Sequence, residues 1–375
     1  MAPPLARRNL FHDQIRLAAT LTGIAFSVVL MVVQWGLFKG FSTSTSEIID
    51  HSGADLWVTA KNTAYLEQAI PFNERKYYQV LATPGVATAE KYIVRFSIWK
   101  MASGRAESVA VVGCDPDSGM GLPFHVVEGD AQQLKQPNAV IVDRIYMGKL
   151  GVEKIGDEVE INGNKAKVVG FTEGIRAFTT SPYVYARFKR AQDFTVIPVE
   201  QTNFVLVKAA AGVDVKQLKA ELKARLPDND VFLTEEFSKS TQHYWMFTTG
   251  AGIAVLMAAM LGLVVGVAIV AQTIYATTMD HIREYGTLKA MGAPNSYVLG
   301  VILQQAAIAA VMGYAIGMGI AVVVVHSSAK GGANILLDWQ TAVGMFFLTN
   351  VMCGLAAVVS VKKILGLDPA MVFRG

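Results

Sequence analysis

The segment Thr277–Ala293 (TTMDHIREYGTLKAMGA) gathers Asp280, His281, Arg283, Glu284 and Lys289 between two strongly apolar stretches. Side chains of both signs at this spacing suit ion pairing and hydrogen bonding with a soluble partner rather than bond-making. A second candidate, Cys114-Asp115-Pro116-Asp117, sets a thiol beside two carboxylates, as an activated nucleophile would require. Asp-Pro and the Ser-Gly that follows are turn signals, so this run reads as a loop after a strand at Val109–Gly113. The histidines at 12, 51, 125, 243, 281 and 326 are scattered, without zinc-like spacing. No Gly-x-x-x-x-Gly-Lys-Ser/Thr, His-Glu-x-x-His or Gly-x-Ser-x-Gly run occurs. No catalytic residue, metal ligand or cofactor is therefore assigned to this chain. Cys114 lies in polar surroundings and Cys353 in an apolar run, and no disulfide is expected.

The elements that position the charged segment are membrane helices. The chain is 52% hydrophobic and only 17% charged, against about 25% charged in soluble domains. The excess is concentrated in four blocks. Leu17–Phe38 is uncharged, follows Arg7, Arg8 and Arg16, and is longer than a signal-peptide core, so it reads as an uncleaved anchor. Phe247–Ile274 and Tyr297–Val325 flank the charged segment, and Thr341–Val361 ends at Lys362 and Lys363. Each has the roughly 20 apolar residues needed to cross a bilayer. The expected fold is an α-helical membrane protein with four transmembrane helices (1+3) and an α/β domain between the first and second. The boundaries are 1–16 for the N-terminus, 17–40 for the first span, 41–244 for the inserted domain and 245–375 for the remainder. Within the remainder, spans are expected at about 247–275, 297–325 and 341–361, with the connector at 277–293 and a tail at 362–375.

Positive charge sets the orientation. Arg7, Arg8 and Arg16, then Arg283 and Lys289, then Lys362, Lys363 and Arg374 fall on one face, whereas the loop His326–Gln340 has only Lys330. Both termini and the connector are expected in the cytoplasm, and the stretch from Gly40 to Tyr244 outside, in the periplasm of a two-membrane bacterium. A net charge of +3 without a basic run argues against a nucleic-acid partner. The span centres carry no Asp, Glu, Lys or Arg, which argues against an ion-coupled carrier and against a hydrophilic channel. Gln34, Gln272, Gln304, Gln305 and Asn350 are expected to make interhelical hydrogen bonds. Gly313-x-x-x-Gly317 permits close helix approach, either within the chain or across a dimer.

The inserted region reads as mixed α/β and is long enough for the two subdomains expected of it. Strands are expected at Asp55–Ala60, Ile93–Met101, Glu107–Gly113, Phe204–Lys208 and Val231–Leu233, and helices at Glu74–Leu81 and Val215–Leu226. Asp157–Gly170 carries a hairpin signal centred on Asn162-Gly163-Asn164. Glu235–Tyr244 and Ser42–Ile49 are expected to extend the adjoining spans as helical stalks.

Asp280-His-Ile-Arg-Glu-Tyr-Gly-Thr-Leu-Lys-Ala-Met-Gly-Ala293 resembles the signature of FtsX/MacB-like ABC transporter permeases. Asn138–Gly170 resembles the family's periplasmic-core pattern, and Leu367-Asp-Pro-Ala-Met-Val-Phe-Arg374 its ending. Lacking a fused ATPase, the chain looks more like the stand-alone DevC branch than MacB itself. The resemblance implies a permease dimer, homodimeric or heterodimeric, with a cytoplasmic ABC ATPase that binds ATP and magnesium. It also implies a periplasmic membrane-fusion adaptor and an outer-membrane TolC-like duct. An FtsX-like regulator of a cell-wall hydrolase and a lipoprotein-releasing permease share the topology. In this reading Asp280–Ala290 is a coupling helix at the membrane face. Ile282, Tyr285 and Leu288 recur every third residue toward lipid or protein. Arg283, Glu284 and Lys289 face the ATPase, with Glu284 paired to Arg283 or Lys289. Gly286 allows close approach of the ATPase, and Gly292 ends the helix before Pro294.

Overall fold

The computed structural model describes Phe11 and residues 14–179, 181–329 and 334–365. Arg7, Arg8, His12, Lys330 and the motif Leu367–Arg374 lie outside the described residues. So do the side chains of Arg16, Tyr285, Leu288, Lys289, Lys362 and Lys363. The chain divides into two units, residues 1–40 with 253–375, and residues 41–252.

The first apolar block forms α1 (Gln14–Ser44). The helical stalk expected over Ser42–Ile49 is interrupted at Thr45-Ser46, and a separate turn of helix follows, α2 (Glu47–Asp50). Ser46 Oγ explains the break locally, because it donates to Asp50 Oδ2 at 2.8 Å and accepts from Gln242 Nε2 at 2.8 Å.

The inserted unit has two halves joined by one long strand. β1 (Leu56–Ala60), a minor strand β2 (Phe72–Asn73), helix α3 (Arg75–Leu81) and β3 (Val86–Lys100) come first. Then follow β4 (Ala106–Cys114), β5 (Val126–Glu128), β6 (Ala139–Asp143), a turn of helix α4 (Met147–Leu150), β7 (Glu158–Ile161) and β8 (Asn164–Thr172). β9 (Tyr183–Arg187), α5 (Phe188–Thr195), β10 (Gln201–Thr202), β11 (Phe204–Ala209), α6 (Val215–Arg225) and β12 (Asn229–Leu233) complete it. The order β12-β1-β11-β3 is antiparallel throughout. With α3 and α6 it makes a β-α-β-β-α-β unit. Its apolar layer holds Leu56, Val58, Val205 and Val207 against Val80 of α3 and Leu218 and Leu222 of α6.

The second half is inserted between β3 and β11 and closes on itself. β3 pairs with β4, β4 with β9, β9 with β6, β6 with β8, β8 with β7, and β7 returns to β3 through Trp99 and Lys100. In a barrel this small, side chains fill the interior. Val109, Val111, Val140, Val142, Val168 and Val184 point into it, around Trp99, whose indole N–H donates to the Leu150 carbonyl at 3.0 Å. Alternate residues of the same strands, Ala110, Val112, Ile141 and Tyr185, enter a second core with Trp57 and Phe237. Burial on both faces explains why β6 and β9 read as plain apolar runs without alternation. The β7–β8 turn is the Asn162-Gly163 pair, both with positive φ (47° and 79°), as the favoured two-residue hairpin demands.

After α7 (Thr234–His243) the chain makes a π-turn at Tyr244–Thr248, and Gly250 takes φ +77° before α8 begins (Ala251–Asp280). The stalk expected to run helically into the second span is thus jointed. A short helix α9 (Ile282–Ala290) leads to α10 (Asn295–Ala329), and a stretch without regular secondary structure at 334–338 precedes α11 (Trp339–Leu365). Four helices among the described residues are long and apolar enough to cross a membrane. Met257, Leu261, Phe347 and Leu355 are exposed on them, as lipid-facing side chains would be.

The helices meet through small residues. A Cβ added to Gly313 would sit 2.6 Å from Ile24 Cγ2, and one on Gly317 would sit 2.8 Å from the Ala25 carbonyl oxygen. The Gly313/Gly317 pair therefore seats α10 on α1 of the same chain. Gly36 and Gly40 do the same for the irregular stretch before α11, where Leu336 N donates to the Gly36 carbonyl at 3.1 Å. Ser27 Oγ donates to the Gly266 carbonyl of α8 at 3.3 Å, and the Tyr314 hydroxyl to the Ala342 carbonyl of α11 at 2.7 Å. Asn350 departs from the interhelical expectation and donates to Phe346 O of its own helix at 2.8 Å.

Leucine at Gly317 is expected to overpack the α1–α10 seam at a cost of about 1–3 kcal/mol. The thermal midpoint of the detergent-solubilised chain should fall, while Gly319→Leu, at a position whose Cβ would meet nothing, should leave it nearly unchanged. Equal midpoints for the two variants would remove this seam from the account.

Candidate coupling segment

α8 stops at Asp280, and a single residue, His281, separates it from α9. The hydroxyl of Thr278 donates back to the Ile274 carbonyl at 2.6 Å and is buried. His281 is also buried, and its Nδ1–H donates to Glu284 Oε1 at 3.0 Å. The Glu284 backbone N–H donates to the His281 carbonyl at 3.1 Å. His281 thus marks the break between the two helices and ties its side chain to the first turn of α9. Glu284 meets His281, three residues back on the same face; the side chain of Lys289, one of its two expected partners, lies outside the described residues.

A helix of nine residues is marginal alone, so α9 depends on its ends. At its C-terminus Met291 N donates to the Thr287 carbonyl at 3.0 Å, and Gly292 takes φ +91°. That left-handed conformation suits glycine and turns the chain into Pro294, whose carbonyl accepts from Tyr297 N at 3.0 Å. Asp280, Arg283, Glu284 and Thr287 are exposed, whereas Gly286 is buried. Gly286 therefore lies within the chain's own packing rather than on an open docking face. The exposed polar face is carried by Asp280, Arg283, Glu284 and Thr287.

A second set of contacts lies in the inserted unit, where the chain prepares to enter α8. Tyr244 stacks on Tyr65 with ring centroids 3.7 Å apart, and Trp245 packs on Phe178 at 4.4 Å. Trp245 Nε1–H donates to Glu67 Oε2 at 3.1 Å, while Glu67 Oε1 is buried with no hydrogen-bond partner. Burial pushes the Glu67 carboxyl up to about 7, against the pull of the Trp245 N–H. The residues Tyr65, Glu67 and Phe178 sit in irregular segments far from Tyr244 in sequence, so periodicity could not bring them forward. The adjacent aromatic pair Tyr244-Trp245 was the only available signal.

Both cysteines are buried and free, and burial pushes the Cys114 thiol up to about 12. A thiol so far from ionisation is a poor nucleophile; Cys114 ends β4, and the turn read from the sequence begins at Asp115, whose carbonyl accepts from Ser118 N at 3.1 Å. No group of three or more metal-ligating side chains occurs among the described residues.

Four apolar helices with an α/β domain after the first, and a charged helix between the second and third, define a permease-type membrane protein. The MacB-like periplasmic core domain model matches residues 17–225 and the FtsX-like permease C-terminal model residues 256–369. The chain belongs to the MacB-like, FtsX-domain family of ABC transporter permeases. It is similar to two uncharacterized ABC transporter permeases of Mycobacterium tuberculosis. One is 22% identical over 96% of this chain and 95% of the relative, the other 24% over 99% of each. The macrolide export ATP-binding/permease protein MacB of Escherichia coli is 22% identical over 98% of this chain and 59% of that protein. The crystallised periplasmic region of MacB from Actinobacillus actinomycetemcomitans is 12% identical, over 52% of this chain and 97% of that one, with a TM-score of 0.39. An ABC transporter permease implies a partner ATPase subunit.

The Glu67 carboxyl makes the Trp245 contact pH-dependent. Its folded pKa lies above the ordinary 4.5, so its contribution to stability is complete below about pH 4.5 and is lost as pH rises toward 7. Glu67→Gln should flatten the fall in thermal midpoint between pH 5 and pH 8 (about one carboxyl's titration). An identical pH dependence in the variant would show that Glu67 does not titrate in this range.

Proposed function

We propose that this chain is the permease subunit of an ABC-type exporter, driven by a separate ATPase. The observation that carries the reading is the short helix α9, which holds exposed charges at the junction of two membrane helices. In this function the ATPase docks on Asp280, Arg283, Glu284 and Thr287 and moves α8 and α10 as it binds and releases ATP. Both termini and α9 lie in the cytoplasm, and the chain sits in the bacterial inner membrane. The inserted domain lies outside and moves in response, helping to expel a lipid, peptide or drug-like substrate through an adaptor and an outer-membrane duct. Two copies of the permease work as a homodimer with two ATPase subunits. The chain itself performs no bond chemistry; ATP and magnesium belong to the partner.

Support for export comes from the large inserted domain with its barrel, and from the name of the Escherichia coli relative, a macrolide export protein. A regulator that merely signals outward would need less structure there. The absence of acidic or basic residues from the span centres favours mechanical transmission over conduction through the helices.

Arg283→Glu reverses an exposed charge without touching the His281–Glu284 bond. Reversal at an interface should lower ATPase co-purification and ATP-dependent transport by about tenfold or more (an interfacial charge pair is worth roughly 1.5 kcal/mol upward). Expression and thermal midpoint should stay unchanged. Recovery of the wild-type chain without any ATPase, in mild detergent that preserves membrane complexes, would contradict the proposal. A large residue at Gly286, which is buried, would test packing and not docking.

A further inference from the structure

We propose that a cavity between α1, α8 and α11 binds one acyl chain of an aminophospholipid taken from the surrounding leaflet. The cavity measures about 430 Å³, within the roughly 300–1,000 Å³ of sites that take small molecules. Its walls include Met31, Leu256, Met260, Leu263, Met345 and Leu348. Three of these are methionines, whose flexible thioethers adapt to an irregular apolar chain. Ala259 and Gly344 keep the space open, and a Cβ on Gly344 would meet nothing within 4 Å.

One end of the cavity is polar. Trp35, Lys39, Gln340 and Thr341 line it, the residue types that anchor a helix at the lipid–water interface. Lys39 Nζ lies 2.9 Å from Asp338 Oδ2, and the Thr341 hydroxyl donates to Asp338 Oδ1 at 2.5 Å. The two charged side chains remain 38% and 35% exposed. The Thr341 hydroxyl and Lys39 together hold the Asp338 carboxyl down at about 2, so this rim keeps an ionised carboxylate beside the lysine.

A cation and an anion side by side at the mouth of an apolar slot match a zwitterionic headgroup. The phosphate meets Lys39, the ammonium meets Asp338, and one acyl chain descends along the methionines. A purely anionic headgroup would satisfy Lys39 but face Asp338 unfavourably. This commits the site to an aminophospholipid over an acidic one.

The test uses the full chain in vesicles of phosphatidylglycerol. One preparation carries a trace of phosphatidylethanolamine with a photoreactive diazirine at the acyl terminus, the other the equivalent phosphatidylglycerol. Peptides bearing Met260 or Met345 should be labelled by the ethanolamine probe about tenfold more than the lipid-facing Leu355 peptide. Gly344→Phe should abolish that excess. Lys39→Gln with Asp338→Asn should equalise the two probes. Competition on the wild type with unlabelled phosphatidylethanolamine needs no variant and should erase the excess. Uniform labelling, equal or better capture of the glycerol probe by the wild type, or a chain-to-chain crosslink at Met260 in place of a lipid adduct would overturn the proposal. None of these outcomes depends on ATPase docking, so the site fails or stands apart from the exporter reading.

Discussion

A bilayer offers no water to an unpaired backbone N–H or C=O, and this fixes how the chain can cross it. Only segments that satisfy every backbone group internally can cross. The helices α1, α8, α10 and α11 do so, and each runs well past the apolar core at 1.5 Å per residue. Polar handles can then exist only where helices end. His281 and α9 occupy such an end, and their hydrogen bonds are spent on holding the turn rather than on chemistry. The nearly uncharged spans and the charged connector are two consequences of the same solvent.

Without a hydrophobic drive between helices in lipid, close packing must hold them together. The glycines of α10 and α1 supply it, with Gly313 and Gly317 against Ile24 and Ala25, and Gly36 and Gly40 against the stretch before α11. A few hydrogen bonds add direction, among them Ser27 to Gly266 and Tyr314 to Ala342. The inserted unit solves a different problem. Its long strand β3 belongs to both the β-α-β-β-α-β half and the barrel, so one rigid ribbon joins two cores. Tyr65, Glu67 and Phe178 grip the residues just before α8, at the π-turn where the chain is jointed. Gly250 marks the end of that grip with a conformation that a larger residue would strain.

The sequence exposed what composition and local period control. The four apolar blocks, the hairpin at Asn162-Gly163 and the amphipathic helix with Leu218 and Leu222 were all legible, because each depends on residues close in the chain. The connector was legible because charge is rare between long apolar runs. β6 and β9 were not, since both faces are buried and alternation vanishes. The barrel was not, since its closure rests on pairings such as Trp99 with Ile161 that no local pattern announces. The choice of seam for Gly313 and Gly317 needed the neighbour helix. The Lys39–Asp338 pair lies almost three hundred positions apart and joins residues that looked like ordinary interface anchors.

The claim on which the proposed function rests is that α9 and the inserted domain face opposite sides of the membrane. Because Cys114 and Cys353 are buried, single cysteines placed at Arg283 and at the exposed Lys223 can be read against a low background. A membrane-impermeant maleimide applied to intact cells, after the outer membrane is made permeable, should label the position-223 variant and spare the position-283 variant. Inside-out vesicles should give the reverse. Labelling of position 283 from outside, or of both positions from one side, would contradict the account.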